Sequence, residues 1–191
     1  MERKITVFYY SGFGVGSASK NHTDSLRLRH IAACQYTALP YDYPTDAQNE
    51  RGKPYFSNLP ELHFSVSHSG NVWICAFSDH PVGCDIERHR DDMSRIRALA
   101  KRWFSEDEQI YLENNGCTPR SFADIWVRKE AYVKLLGCGI DSRFRSFSTV
   151  GMREIKGFVL PGYENEPFSA AVAAENMDNA AISIDFRKLL T

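Results

Sequence analysis

The stretch VGCDIE, residues 82–87, puts two carboxylates, Asp85 and Glu87, two positions apart behind a glycine. Alternate side chains of a strand share a face, so both acids point one way while Cys84 and Ile86 point the other. Like charges on neighbouring same-face positions repel unless a cation lies between them. A hard divalent ion such as Mg2+, which prefers oxygen ligands, meets that need. Arg88 and Arg90, just downstream, meet it as partners at an exposed strand end. The spacing alone leaves both readings open.

A second group lies in DIWVRKEAYVKLLG, residues 124–137, where helical spacing lines up Trp126, Glu130 and Lys134. Glu130 and Lys134 read either as a surface ion pair or as a third metal oxygen beside a cationic phosphate clamp. Val127, Ala131 and Leu135 flank that line and give the helix a buried side. His68 follows a strand in FSVSHSG with Ser65, Ser67 and Ser69 close by, but no GxSxG nucleophile elbow is present. Lys53 belongs to GKPY, a rigid turn with Pro54 and Tyr55. Gly12, Gly14 and Gly16 form a GxGxG run whose next dinucleotide position is Ser17, and no GK[ST] follows, so a turn is expected there.

The elements that must carry these groups follow from periodicity. KITVFYY reads as a strand, and a helix capped by Asp24 or Ser25 follows, with Leu28, Ile31, Ala32 and Tyr36 on one face. From residue 62 the period changes to two: Leu62, Phe64 and Val66 alternate with His63, Ser65 and Ser67, and NVWICAFS completes a hairpin. PVGCDIE is a third strand. DDMSRIRALAKRWF and SEDEQIYLENN are helical, the second opening on a capping box of Ser105 and Glu108, and the longest helix ends at Gly137. REIKGFVL, FSAAVAAE and AAISIDFRKL are three further strands. A helix, a spacer and a strand pair thus occur before residue 80 and again after residue 120. That repetition predicts a mixed α/β (α+β) fold of two pseudo-equivalent lobes, residues 1–80 and 81–191, each a small sheet packed by a long helix.

The 191 residues suffice for one intimately packed unit, and 43% hydrophobic content is that of a globular protein. A net charge of −1 argues against a general nucleic-acid partner. No apolar run approaches the ~20 residues of a membrane span, and no signal peptide opens the chain, so a cytoplasmic, membrane-free protein is expected. Five cysteines without a CxxC form neither a disulfide framework nor a zinc site.

GKPYF, FSVSHSG, VGCDIE and WVRKEAYVKLLGCGI, in this order, resemble the signatures of the 4′-phosphopantetheinyl transferases, most nearly the type that activates peptide and polyketide synthases. The likeness is dense from Lys53 to Ile140 and weak in the first fifty residues. It implies two similar lobes with the active site at their junction, and Mg2+ bound by Asp85, Glu87 and Glu130. Lys134 would meet the pyrophosphate of the co-substrate coenzyme A, and His68, with Ser67, its 3′-phosphate or ribose end. Lys53, Pro54 and Tyr55 would lie beside the adenine, and Arg27 and Arg29, with Lys20, are the basic candidates for the 3′-phosphate. The implied reaction moves the phosphopantetheine arm to a serine of an acyl or peptidyl carrier protein and releases 3′,5′-ADP, with Glu130 or Glu87 as base beside Lys134. A monomer is expected, because both lobes lie in one chain. RIRALAKRWF, with Arg95, Arg97, Lys101 and Arg102, reads either as a docking face for an acidic carrier or as an ordinary amphipathic helix. The alternative to the enzyme is a non-catalytic module that binds coenzyme A or a carrier. Cys84 and Arg128 depart from the usual residues of the motifs without removing an acid.

Overall fold

The computed structural model describes residues 2–14, 18–175 and 181–190. Strand β1 (Glu2–Ser11) is apolar on both faces. Ile5, Val7 and Tyr9 join one core and Phe8 another, which makes β1 an internal strand. The hairpin β4 (His63–Ser69) and β5 (Val72–Ser78) forms as the alternation predicts, and β5 pairs antiparallel with β1. The last strand, β9 (Ala181–Lys188), runs parallel to β1 on its other side and completes the order β4-β5-β1-β9. A strand that sequence order assigned to the second lobe therefore sits in the sheet of the first. A short hairpin, β2 (Asp46–Gln48) and β3 (Pro54–Phe56), stands apart from both larger sheets.

The second sheet has the order β6-β8-β7, from β6 (Val82–Arg88), β7 (Ile155–Phe158) and β8 (Phe168–Ala174). Its connectivity repeats that of the first. A strand and a long helix lead to a hairpin whose second strand pairs with the opening strand. The two helices are α1 (Ala18–Thr37) and α4 (Pro119–Leu136). The core is layered accordingly. Leu28 and Ala32 of α1 cover Phe8, Trp73 and Phe77, and Ile5, Val7, Ile74, Cys84, Ile86 and Val172 fill the space between the sheets. Val127 and Ala131 of α4 cover Ala171 and Ala173.

One boundary is corrected. α1 begins at Ala18, well before the cap expected at Asp24 or Ser25. Residues 20–24 are mostly solvent-facing, so the first turns carry no apolar period to read. Ser25 is instead internal, and its Oγ accepts a hydrogen bond from Nε1 of the buried Trp73 at 2.9 Å. Gly16 and Ser17 of the glycine-rich run lie outside the described residues. The amides of Gly12 and Phe13 both donate to the carbonyl of Asn71, so the start of that run is fastened to the β4–β5 turn.

α2 (Met93–Trp103), α3 (Glu106–Asn114) and α4 form a helical layer around Phe104, Leu112 and Ile125. The expected capping box is made: Ser105 Oγ accepts from the Glu108 amide, and Glu108 accepts from the Ser105 amide. Glu108 also accepts from the amide and hydroxyl of Thr149 at 2.8 and 2.9 Å and is ion-paired at 2.7 Å to Lys129, both side chains being fully buried. The Lys129 ammonium is completed by the Phe147 carbonyl at 2.8 Å and lies over the Phe147 ring. α4 stops at Gly137 in the left-handed conformation, as its sequence predicts. No helix among the described residues is long and apolar enough to cross a membrane.

Removing one partner of a buried pair leaves the other charge uncompensated. Lys129→Met is expected to lower unfolding free energy by about 3–5 kcal/mol in urea titration. A loss under about 1 kcal/mol would show that Glu108 is satisfied by its amide and hydroxyl donors alone.

Candidate active site at the junction of the two sheets

β4 and β6 are edge strands of different sheets, and they meet without a backbone ladder. Side chains replace it. Ser65 Oγ accepts from the Cys84 amide and Ser69 Oγ from the Arg88 amide, both at 3.0 Å, which satisfies donors on the edge of β6 away from β8. Ser67 Oγ donates to Asp85 Oδ1 at 2.6 Å, and Ser69 Oγ to Glu87 at 3.3 Å. The serine face of β4, polar in sequence, is therefore buried as the junction itself.

α4 packs on the face of β6 that carries Gly83 and Asp85. A Cβ at Gly83 would fall 1.9 Å from the Ala131 carbonyl oxygen and 2.5 Å from the Leu135 amide, so only glycine lets the helix pack there. That approach brings Lys134 Nζ within 2.7 Å of Asp85 Oδ1 and 3.5 Å of the Val66 carbonyl. The Glu130–Lys134 pair suggested by helical spacing is not made, because Lys134 reaches the more deeply buried carboxylate.

These contacts set the electrostatics. Burial, reinforced by the Asp85 and Glu87 charges and opposed by Lys134, pushes the Glu130 carboxyl up to about 7. Burial and Asp85 also raise Glu87, while Arg90, 3.1 Å away, pulls it down. For Lys134, burial disfavours the charge, but Asp85, Cys84 and Glu130 outweigh it and the ammonium titrates above its ordinary value. Burial and Lys134 lower His68, whose ring packs on Phe13 at 4.7 Å between centroids. No group of three or more His, Cys, Asp or Glu stands ready as a metal cluster among the described residues.

A cavity of about 310 Å³ opens between these elements, lined by Lys53, Pro54, Ser65, Val66, Glu130 and Lys134 among others. The structure thus brings Lys53 and Pro54 to the same space as Glu130 and Lys134, with Asp85 directly behind Lys134. Tyr55 faces an adjoining cavity of about 610 Å³ that shares Lys53 and Pro54, and Glu87 opens onto a separate one of about 250 Å³ with His89 and Arg95. Lys53 also braces the fold, because its ammonium donates to the Leu135 and Val82 carbonyls at 3.1 and 3.4 Å, and burial lowers its pKa. Arg29 is buried over the Phe56 and Phe64 rings and bonded to Asp46, which also binds His30. Arg27 is exposed on α1.

Sequence reasoning missed the role of Lys129, which lies in the same KEA triplet as Glu130 yet points into the helical layer. It also missed Ser65 and Ser69 as junction residues. The signal available was small polar residues at every second position opposite a strand that carries two acids.

Residues 81–184 match the family model described as the 4′-phosphopantetheinyl transferase superfamily. The chain is 38% identical over 115 residues to 4′-phosphopantetheinyl transferase gsp of Aneurinibacillus migulanus, covering 59% of this chain and 46% of that protein. It is 35% identical over 123 residues to 4′-phosphopantetheinyl transferase Sfp of Bacillus subtilis, covering 63% and 53%. With 4′-phosphopantetheinyl transferase AcpT of Salmonella typhimurium it shares 35% over 137 residues, 66% of this chain and 70% of that one. The chain belongs to the 4′-phosphopantetheinyl transferase superfamily. It spans about half the length of the gsp and Sfp relatives.

The Glu130 carboxyl has a testable signature. Between its ordinary value of 4.5 and its folded value of about 7, the folded state holds more protons than the unfolded one. Stability therefore falls as pH rises through that window and levels off above it. Glu130→Gln is expected to flatten this fall, which partial exposure limits to about 2 kcal/mol. Urea titrations of the metal-free protein at four pH values between 5 and 8 read it out. Parallel curves for the two proteins would remove Glu130 as the perturbed group.

Proposed function

We propose that the chain transfers the 4′-phosphopantetheine arm of coenzyme A to a serine of an acyl or peptidyl carrier protein and releases 3′,5′-ADP. The observation that carries this reading is the cavity lined by Lys53 and Pro54 on one side and Glu130 and Lys134 on the other. The nucleotide end of coenzyme A would lie along Lys53 and Pro54 in this cavity and Tyr55 in the adjoining one, with His68 and Ser67 outside it toward the ribose and 3′-phosphate and the diphosphate beside Lys134.

Asp85, Glu87 and Glu130 are the proposed ligands of Mg2+. Their chemistry fits a hard cation: the Asp85 and Glu87 charges push Glu130 up, Asp85 pushes Glu87 up, and among the described residues no donor is bonded to Asp85 Oδ2 or to either Glu130 oxygen. Such an ion, when bound, neutralises charge on the diphosphate oxygens.

The chain's own residues supply the rest. Lys134 exchanges part of its hold on Asp85 for a non-bridging phosphate oxygen and stabilises the charge that grows there. The carrier serine oxygen forms the new bond to the β-phosphorus, the bond from that phosphorus to the bridging oxygen of 3′,5′-ADP breaks, and its electron pair leaves with the nucleotide. Glu130, lining the cavity with no hydrogen-bond donor on its carboxyl among the described residues, accepts the serine proton. Burial of the junction keeps water from competing with the serine for the phosphorus.

The test is the intact mass of an apo carrier protein after incubation with the chain, coenzyme A and Mg2+. A phosphopantetheine-sized gain, abolished by EDTA, is expected. Glu130→Ala is expected to slow it by about 10²–10⁴-fold while coenzyme A binding persists. Coenzyme A binding with no mass gain across several carriers would instead support the non-catalytic binding module.

A further inference from the structure

Behind α4, away from the junction, lies a further cavity of about 440 Å³, within the range of small-molecule sites. It shares no lining residue with the cavities beside Glu130 or Glu87. Its charged groups are Arg120, Asp124 and Arg128, two positive and one negative, a net charge of +1. Asp124 is already engaged: one oxygen accepts the Ser169 hydroxyl at 2.5 Å and the other lies 4.0 Å from Arg120 Nε. Arg128 is different. Its Nη2 donates to the Thr149 carbonyl at 2.7 Å and lies 3.5 Å from that of Met152, and among the described residues it has no ion-pair partner.

A partly buried guanidinium whose hydrogen bonds go only to neutral carbonyls has lost hydration, and Asp124 and Glu108 act on it without forming a contact ion pair. Carbonyl contacts at one nitrogen leave its other donors for a planar anion, the geometry that suits a carboxylate. The walls beyond it are hydrocarbon, from Val127, Phe158 and Val159. We propose that this cavity binds a small monocarboxylate with an apolar body, its carboxylate on Arg128 and its hydrocarbon against Val127 and Phe158.

Two kinds of variant separate the site from the fold. Arg128→Met removes the cation, and Arg128→Lys keeps a charge there. Gly157→Val fills the space without touching Arg128, since a Cβ at Gly157 meets only the Ala170 carbonyl oxygen at 3.8 Å and a β-branched residue suits a strand. The full chain is titrated with 4-phenylbutyrate, its neutral amide and inorganic phosphate, read by amide ¹H–¹⁵N shifts. Saturable shifts centred on Gly151 and residue 157 are expected with the carboxylate. Binding should weaken about tenfold or more for the amide, for phosphate and in Arg128→Met, with a smaller loss in Arg128→Lys. Gly157→Val should abolish it. Equal binding of acid and amide, phosphate as tight as the carboxylate, or shifts centred on Glu130 and Lys134 would overturn the proposal. If Arg128→Met does not fold, unchanged binding in Gly157→Val overturns it alone.

Discussion

Two edge strands from different sheets have to meet at the centre of this molecule, and one of them carries acids. Backbone pairing across that line would merge the sheets and turn the carboxylates into an ordinary strand face. Serine hydroxyls solve the problem because each is both acceptor and donor. Ser65 and Ser69 satisfy the β6 amides, and Ser67 and Ser69 turn hydrogens toward Asp85 and Glu87. The arrangement still leaves the acid Asp85 buried, a position that calls for a cation at contact distance. Lys134 supplies it only because α4 lies directly on β6, and α4 lies there only because residue 83 has no side chain. Three features far apart in sequence thus depend on one another.

Neighbouring residues of α4 show two ways of treating buried charge. Lys129 is matched by Glu108, two rings and a carbonyl, and the result is a fixed joint between α3, α4 and the segment at Phe147. Glu130 is left with two carboxylates and a single lysine that already serves Asp85. The imbalance is maintained by the surrounding packing, and it gives the Glu130 carboxyl a standing preference for added positive charge. Perturbed carboxyls of this kind collect where chemistry is done.

Much of this was legible in the chain. Local signals placed the β6 strand, the Ser105–Glu108 capping box, the hairpin at Gly70 and the helix stop at Gly137, because each is decided within a few residues. The acids and the lysine were legible as a set through their spacing and the family signatures. What escaped notice was decided across the fold. Ser25 looked like a cap because nothing nearby announces Trp73 as its partner. Lys134 looked like the partner of Glu130 because Asp85 is distant in sequence. The alternation of serines along β4 named no partner, because the strand they meet, β6, joins them only in the fold.

The placement of β9 bears on how the molecule is made. β1 leaves the ribosome long before its parallel neighbour, which comes from residues 181–188. Until those are synthesised, β1 has an open edge and the Ile5–Val7 side of its core lacks Ile182 and Ile184. Pairings of such long sequence separation form late, after shorter-range contacts have reduced the entropic cost of closing the loop. The hairpin and its junction serines therefore wait, half supported, for β9. A nascent chain interrupted before that point would expose a hydrophobic edge suited to pairing with another copy, which makes β9 the safeguard against aggregation during synthesis.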